Sequence, residues 1–168
     1  MNPSVSIIMG STSDLPVMSK AAEFLNSMQV PFEMLALSAH RTPDEVADFA
    51  ANAHTRGVKV IIAGAGMAAA LPGVIAAITP LPVIGVPLAA TLQGADALLS
   101  ICQMPPGIPV ATTGINGAMN AAVLAVRMLA LSDAGLSTRY NEWREQLGKK
   151  IVKANDELAQ IRYDFKTN

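Results

Sequence analysis

Three short segments hold the residue types that could bind and transform a small anionic molecule, and each follows an apolar run. Residues 38–42, SAHRT, combine a histidine that can move protons near neutral pH with an arginine whose planar guanidinium binds phosphate. Residues 10–14, GSTSD, offer hydroxyls and N–H groups at a helix N-terminus for a phosphate, and a carboxylate for ribose hydroxyls. Residues 64–67, GAGM, have no ionisable side chain but let a ligand approach the backbone closely. Together they indicate proton transfer on a phosphorylated ligand.

Each segment also has a plainer interpretation. A lone histidine is more often structural than catalytic, but His40 follows an apolar strand and lies beside a fixed cation and two phosphate-type turns. Ser13 or Asp14 could simply cap a helix, and the glycine turn could serve tight packing between a strand and a helix. The second histidine, His54, lies at a polar helix end, where we expect it to be solvated.

Apolar runs alternate with amphipathic segments along the chain and predict the elements that position these residues. Strands are predicted at residues 5–9, 32–37, 58–63, 82–86 and 108–112. Helices are predicted after residue 14, at 42–57, at 68–78, over part of 88–104, at 116–131 and at 138–163. The sequence TPDE at residues 42–45 is typical of a capping box with proline at the first helical position. Alternating strands and helices predict a parallel sheet covered on both faces, a three-layer α/β/α sandwich of flavodoxin-like type.

We expect one domain over residues 1–168, with an α/β core at 1–133 and a helical extension at 134–168. The last helix carries apolar residues at three- and four-residue steps: Tyr140, Trp143, Leu147, Ile151, Ala154, Leu158 and Ile161. This stripe could pack on its own domain or reach a neighbouring subunit. Because the helix follows a sheet that is already covered, we favour the neighbouring subunit.

The charge pattern excludes some partners and indicates others. Twelve basic and thirteen acidic residues give a net charge of -1, which does not fit a nucleic-acid-binding protein. Between Lys59 and Arg127 the only side chain ionised at neutral pH is Asp96. The uncharged run 60–79 is long enough for a membrane span, but its glycines and proline indicate a strand and a helix instead. We therefore expect a homo-oligomer that buries this surface, and no membrane partner.

Several common kinds of site are missing from the sequence. It has no Cys/His cluster with metal-ligand spacing, no P-loop, no dinucleotide-binding glycine run and no Ser-His-Asp set. Catalysis is therefore expected to need neither a metal nor another cofactor. Cys102 is the only cysteine, and the chain does not open with a secretion signal, so we expect a cytoplasmic protein.

The motifs resemble those of the bacterial class I N5-carboxyaminoimidazole ribonucleotide mutases. They match in order from about residue 5 to residue 131, at 10–14, 38–43, 63–66, 71–73, 85–87, 103–105 and 107–110. The string SAHRTP at 38–43 is the most specific of them. The resemblance implies an isomerase of purine biosynthesis, assembled as an octamer with its active sites between subunits.

The resemblance also implies roles for particular residues. The family's acid-base histidine corresponds to His40. The substrate-binding residues correspond to Ser11, Asp14 and Arg41, with Ser38, Ser13 and Gly66 as further contacts. In the family's reaction a carbamate gives up CO2, the imidazole C4 captures it, and a proton then leaves C4, which His40 would carry. The small residues at 64–70 could wall a dry cage for the freed CO2.

This sequence departs from the family at three positions and leaves two alternatives open. Met67 stands where many members have glycine, Pro106 where an arginine is common, and Ala70 where a second histidine usually precedes Leu-Pro-Gly. One alternative is a class II aminoimidazole ribonucleotide carboxylase that uses free CO2. That class usually has SAHKT and a polar turn after the third strand, so Arg41 and residues 64–67 favour the mutase. The other alternative is a catalytically impaired ribonucleotide-binding oligomer, because of Ala70.

Overall fold

The computed structural model describes residues 2–168 and contains a five-stranded parallel sheet. The strands are β1 Val5–Met9, β2 Phe32–Ala36, β3 Val60–Gly66, β4 Val83–Leu88 and β5 Ala111–Thr112. Their order is β2-β1-β3-β4-β5, so the chain passes from β1 to β2 on one side and then returns across β1 to β3. Ligands bind at such a change of direction in open parallel sheets, at the carboxyl ends of the strands. The predicted parallel sheet is confirmed.

The described residues form six helices, of which the first five cover the two faces of this sheet and the last packs on two of them. They are α1 Leu15–Ser27, α2 Pro43–Asn52, α3 Leu71–Ile78, α4 Ala95–Cys102, α5 Ala118–Ala130 and α6 Ala134–Gln160. Side chains alternate along β1, so that Ile7 packs with α1 and α5 while Ile8 packs with α2, α3 and α4. Both isoleucines are fully buried. The predicted three-layer α/β/α arrangement is therefore confirmed.

The start of α2 differs from the prediction. Pro43 occupies the first turn as expected, but the side chain of Thr42 makes no capping hydrogen bond. The predicted capping box at residues 42–45 is therefore wrong, because the Thr42 hydroxyl is used within the preceding turn, where it bonds Ser38. At its other end α2 continues into a short 3-10 turn and stops at Gly57, whose φ of 96° suits only glycine well. That end is as predicted.

Strand β3 extends further than predicted, because both glycines of the predicted turn at 64–67 belong to the strand. Gly64 pairs with Met9 of β1 and Val86 of β4. A Cβ at Gly64 would lie 2.5 Å from the sulfur of Met18, so glycine is needed for α1 to pack closely on the sheet. The turn is thereby displaced to residues 67–70, and α3 begins at Leu71 rather than at residue 68.

Strand β5 is shorter than predicted, at two residues. Pro109 lies in the part of the predicted strand that does not pair. Proline has no N–H to donate to a neighbouring strand, which accounts for the late start of the pairing.

The long C-terminal helix begins at Ala134, earlier than predicted, because the Asp133 carboxylate accepts a hydrogen bond from the N–H of Leu136 at 2.9 Å. Its first turns pack on the domain, with Trp143 edge-on to Phe24 of α1 at 4.8 Å between ring centroids. Further along, the apolar stripe is uncovered, and Ile151 is 69% exposed. Packing on its own domain thus explains only the first part of this stripe. Among the described helices, none is both long and apolar enough to cross a bilayer.

Candidate functional site

A cavity of about 530 Å³ opens at the carboxyl ends of β1, β2 and β3, next to the change of chain direction. The turns that follow these three strands form most of its lining. Every site residue named from the sequence lies in that lining: Ser11, Ser13, Asp14, Ser38, His40, Arg41 and Gly66. The fold therefore brings together residues that are up to 55 positions apart, from Ser11 to Gly66.

The turn after β2 is closed by hydrogen bonds between its first and last residues. The N–H of Thr42 donates to the carbonyl of Ser38 at 2.8 Å. The Thr42 hydroxyl accepts from the N–H of Ser38 at 3.0 Å and donates to its carbonyl at 3.2 Å. His40 lies in the middle of this turn and is exposed. A fixed backbone therefore holds the imidazole at the cavity with its ring accessible to a ligand.

Arg41 joins the turn after β2 to the turn after β1. Its Nη2 donates to the carbonyl of Gly10 at 2.6 Å, and its Nε donates to the hydroxyl oxygen of Ser38 at 3.3 Å. The same oxygen also accepts from the main-chain N–H of Arg41 at 3.2 Å. A guanidinium has five N–H donors, so these two side-chain bonds orient the group and leave others for an anionic ligand.

The turn after β1 forms a capping box around a short 3-10 turn, Thr12–Asp14. The N–H of Ser13 donates to the hydroxyl oxygen of Ser11 at 3.3 Å, and the N–H of Ser11 donates to Asp14 Oδ2 at 3.2 Å. The N–H groups of Ser11 and Ser13 therefore both have acceptors within the turn itself. The Ser11 hydroxyl can still donate its own hydrogen to a ligand.

The opposite side of the cavity is apolar and made mainly of small residues. It consists of Ala65, Gly66, Met67, Ala68, Ala69, Ala70, Leu71 and Ala90. At Gly66 a Cβ would lie 3.0 Å from the Cβ of Ala90 and 3.4 Å from the carbonyl of Leu88, so the end of β4 leaves little room for a side chain. Ala70 immediately precedes α3 and presents only a methyl group to the cavity. The cavity therefore has one polar, cationic side and one apolar side.

Sequence reasoning missed Ala90, which reaches the cavity from the loop after β4. The signal that could have found it is strand order, since β4 lies beside β3 and its carboxyl end meets the same edge. His54 lies on the exposed 3-10 turn Ala53–Arg56, away from the cavity lining, as expected. Within residues 2–168 no group of three or more His, Cys, Asp or Glu side chains is placed to hold a metal ion.

Known proteins resemble this chain over most of its length. The sequence model of the AIR carboxylase family matches residues 4–150. The N5-carboxyaminoimidazole ribonucleotide mutase of Thermotoga maritima is 50% identical over 162 residues, which are 96% of this chain and 95% of that protein. The phosphoribosylaminoimidazole carboxylase of Candida albicans is 51% identical over 97% of this chain, which spans only 29% of that longer protein.

A solved structure is also similar to this chain over most of its length. The crystal structure of Treponema denticola PurE superposes with a TM-score of 0.84 at 29% identity, covering 93% of this chain and 98% of that one. The family resemblance carried by the motifs is thus confirmed, in sequence and in fold. The chain belongs to the AIR carboxylase family.

Proposed function

We propose that the protein is an N5-carboxyaminoimidazole ribonucleotide mutase, an isomerase of de novo purine biosynthesis. It would interconvert N5-carboxyaminoimidazole ribonucleotide and 4-carboxy-5-aminoimidazole ribonucleotide without a cofactor. The observation that carries the proposal is the two-sided cavity, in which His40 and Arg41 face a wall of alanines and glycine. The Thermotoga mutase supports it further, because that relative matches over almost its whole length.

The polar side suits a ribose phosphate. Arg41 is held in place by Gly10 and Ser38, so its remaining N–H groups can bind the phosphate with little loss of side-chain freedom. The hydroxyls of Ser11 and Ser38 supply further donors, since the bonds described above use their oxygens as acceptors. In this proposal the phosphate also contacts Ser13, the carboxylate of Asp14 accepts from the ribose hydroxyls, and Gly66 lets the base approach the backbone.

The apolar side suits the carboxylate transfer. In the reaction the N–C bond of the carbamate breaks, and its electron pair stays on the nitrogen, which takes a proton as CO2 leaves. C4 of the imidazole then attacks the CO2, a C–C bond forms, and C4 loses its proton. His40 would donate the first proton and accept the second, so that no oxidant or reductant is needed. The small apolar residues opposite would keep water from the freed CO2.

We also propose that the protein works as a homo-oligomer, an octamer with its active sites between subunits. Within the nearly uncharged region between Lys59 and Arg127, several apolar side chains are exposed in the isolated chain: Val74, Ile78, Leu99 and Met119, at 37–56%. Native mass spectrometry at low micromolar concentration should detect the assembly and little monomer. A folded protein that is mainly monomeric would contradict this proposal.

Turnover of two alternative substrates under controlled CO2 tests the reaction itself. The mutase should convert the carbamate, N5-carboxyaminoimidazole ribonucleotide, at a rate independent of added CO2. Conversion only of aminoimidazole ribonucleotide together with free CO2 would instead identify a class II carboxylase. Binding of both ribonucleotides without turnover would identify the impaired binding protein that Ala70 suggests.

A further inference from the structure

Met67 is unlike the other residues on the apolar side of the cavity. Its neighbours in the lining are alanines, Gly66 and Leu71, and Leu71 is only 3% exposed because it belongs to the hydrophobic core. Met67 is 59% exposed and belongs to neither core cluster. It is therefore the one large side chain on this side that the core does not hold.

The backbone at Met67 is also in an unfavourable conformation. Its φ is 57°, in the left-handed region where a Cβ costs free energy and glycine is preferred. Ala69, two residues later, has a φ of 43°. Burial of the methionine side chain does not offset this strain, because most of the residue faces the cavity and solvent. Such strain at a ligand cavity indicates a role in function rather than in folding.

We propose that Met67 is the apolar cover of the CO2 site, the residue that limits loss of CO2 to solvent and entry of water during the transfer. This inference rests on the function proposed above. Methionine suits the role because it is unbranched and flexible, and so fills irregular space that Ala68, Ala69 and Ala70 are too small to reach. Met67 lies on the same turn as Ala70, three residues before it, and both line the cavity.

The cover acts on the fate of the intermediate and not on ribonucleotide binding. Once the N–C bond has broken, CO2 is either captured by C4 or lost to solvent, which leaves free aminoimidazole ribonucleotide. The nitrogen takes its proton in both cases. Phosphate and ribose lie on the opposite, polar side, so removal of the Met67 side chain should change the ratio of the two products more than the affinity.

Met67→Gly and Met67→Leu test the proposal in the full-length protein. With the carbamate as substrate, we would measure the ratio of aminoimidazole ribonucleotide released to carboxylated product formed, together with KM. Met67→Gly should raise that ratio roughly fivefold, the factor that a modest loss of interaction energy gives, with KM within about twofold. Met67→Leu keeps the apolar bulk and should leave the ratio near that of the wild type.

Gln29→Gly is the matched control for backbone strain. Gln29 has the same φ of 57° and is exposed, but it lies between α1 and β2, at the amino ends of the strands and so away from the cavity. Both glycine variants should therefore unfold at the same or a higher temperature than the wild type, while only Met67→Gly changes the product ratio. An unchanged ratio in Met67→Gly, or an equal change in Gln29→Gly, would overturn the proposal.

The outcomes separate this proposal from the function on which it rests. A wild-type protein that does not turn over the carbamate refutes the mutase function itself. A wild-type protein that turns it over, together with a Met67→Gly variant of unchanged product ratio, refutes only the role of Met67. A change of oligomeric mass in Met67→Gly without a change in the ratio would show that the residue serves subunit contacts instead, and would also refute that role.

Discussion

The parallel strands all begin at one side of the sheet, here called the amino edge, and all end at the other, the carboxyl edge. Both edges carry the same kinds of polar side chain, but these are paired within the protein only at the amino edge. At the amino edge, Glu33 of β2 accepts two hydrogen bonds from Arg56, both at 2.8 Å, and one from the hydroxyl of Ser6 at 2.6 Å. The guanidinium of Arg56 also lies over the ring of Phe49, 5.4 Å from its centroid. Every charge in this cluster is paired within the protein.

At the carboxyl edge the corresponding groups are left partly unpaired. Arg41 bonds a carbonyl and a hydroxyl, and among the described residues no carboxylate lies within salt-bridge distance of it. Within the described part of the chain, Asp14 accepts hydrogen bonds only from Ser11 and Ser13 of its own turn. The comparison teaches that pairing at one edge stabilises the fold, while the charges left open at the other remain available for a ligand.

The largest expected effect is at His40, the proposed proton-transfer group at the carboxyl edge. His40→Asn should lower kcat by about 100-fold or more, the usual scale for a general acid-base group, with little change in ribonucleotide affinity. His54→Asn is the matched control, because it removes the second histidine of the chain at a site away from the cavity. Steady-state kinetics and calorimetric binding measure the two effects. Near-normal turnover in His40→Asn would show that another group moves the proton.

Exchanging an arginine at each edge tests the comparison directly. Arg41→Met should raise KM by roughly tenfold or more, since hydrogen bonds to a charged group contribute about 1.5–3 kcal/mol. Arg56→Met should leave KM unchanged and lower the free energy of unfolding by about 1 kcal/mol, because it leaves Glu33 unpaired. Kinetics and urea unfolding on both variants distinguish the roles. If Arg56→Met raised KM as much as Arg41→Met, ligand binding would not be confined to the carboxyl edge, and the comparison would be wrong.

Ala70→His adds a polar group to the apolar side of the cavity. Ala70 presents only a methyl group to the cavity, and under the proposed function it would leave room beside the reacting carboxylate for water, which weakens enclosed electrostatic interactions. An imidazole should fill that room and raise turnover by roughly threefold to tenfold, while the binding constant should change little because the proposal places phosphate and ribose on the other side of the cavity. Turnover and affinity are to be measured on the same preparation. Unchanged or lower turnover would mean that this chain uses a different arrangement around His40.

The smallest expected effect is a change in the free energy of unfolding that Glu33, at the amino edge, makes dependent on pH. Burial raises the pKa of Glu33, but the hydrogen bonds from Arg56 and Ser6 outweigh it and hold that pKa below its ordinary value of 4.5. A lowered pKa in the folded state gives stability that is present above the unfolded pKa and lost as pH falls through the folded pKa. Glu33→Gln should therefore cost about 1 kcal/mol at pH 7, and the difference from the wild type should shrink in acid below 4.5.

The control for Glu33 is the exposed pair of Glu145 and Lys149, whose side chains are more than half exposed. Glu145→Gln should change the free energy of unfolding by less than about 0.5 kcal/mol at either pH, because solvent screens such pairs. Urea unfolding at neutral and acid pH measures both variants. A loss in Glu33→Gln that does not depend on pH would show that packing, rather than charge, is what the substitution removes.

The fold was largely predictable because its signals are local. The apolar runs placed β1 at its observed residues, and the helix predicted at 42–57 forms over Pro43–Asn52 and the 3-10 turn that follows it. What could not be predicted depended on choices between equivalent local partners. The hydroxyl of Thr42 could accept from an N–H in the first turn of α2 or bond the main chain of Ser38. The structure shows the second arrangement, which local sequence does not distinguish from the first. Gly64 suits a turn or a strand equally, and the sulfur of Met18 from α1 decides it.

The candidate site was predictable on its polar side for the same reason. His40, Arg41 and Asp14 are unusual residues directly after strands, and parallel strands bring their carboxyl ends to one edge. The apolar side was harder, because Ala90 is an ordinary residue whose place depends on the strand order. The left-handed backbone of Met67 could not be predicted from the methionine itself, since that residue has no preference for this conformation, and its one signal is the glycine that many family members have at this position.

The order of the strands also determines when the chain can complete its fold during synthesis. β1 and α1 leave the ribosome first, yet β1 must wait for β3 to pair on its second side. The inner face of α1, with Met18 and Leu25, shares its core with α5, at residues 118–130. A nascent chain that stops short of residue 118 therefore still displays an apolar face, which makes chaperone protection most valuable until α5 has been synthesised.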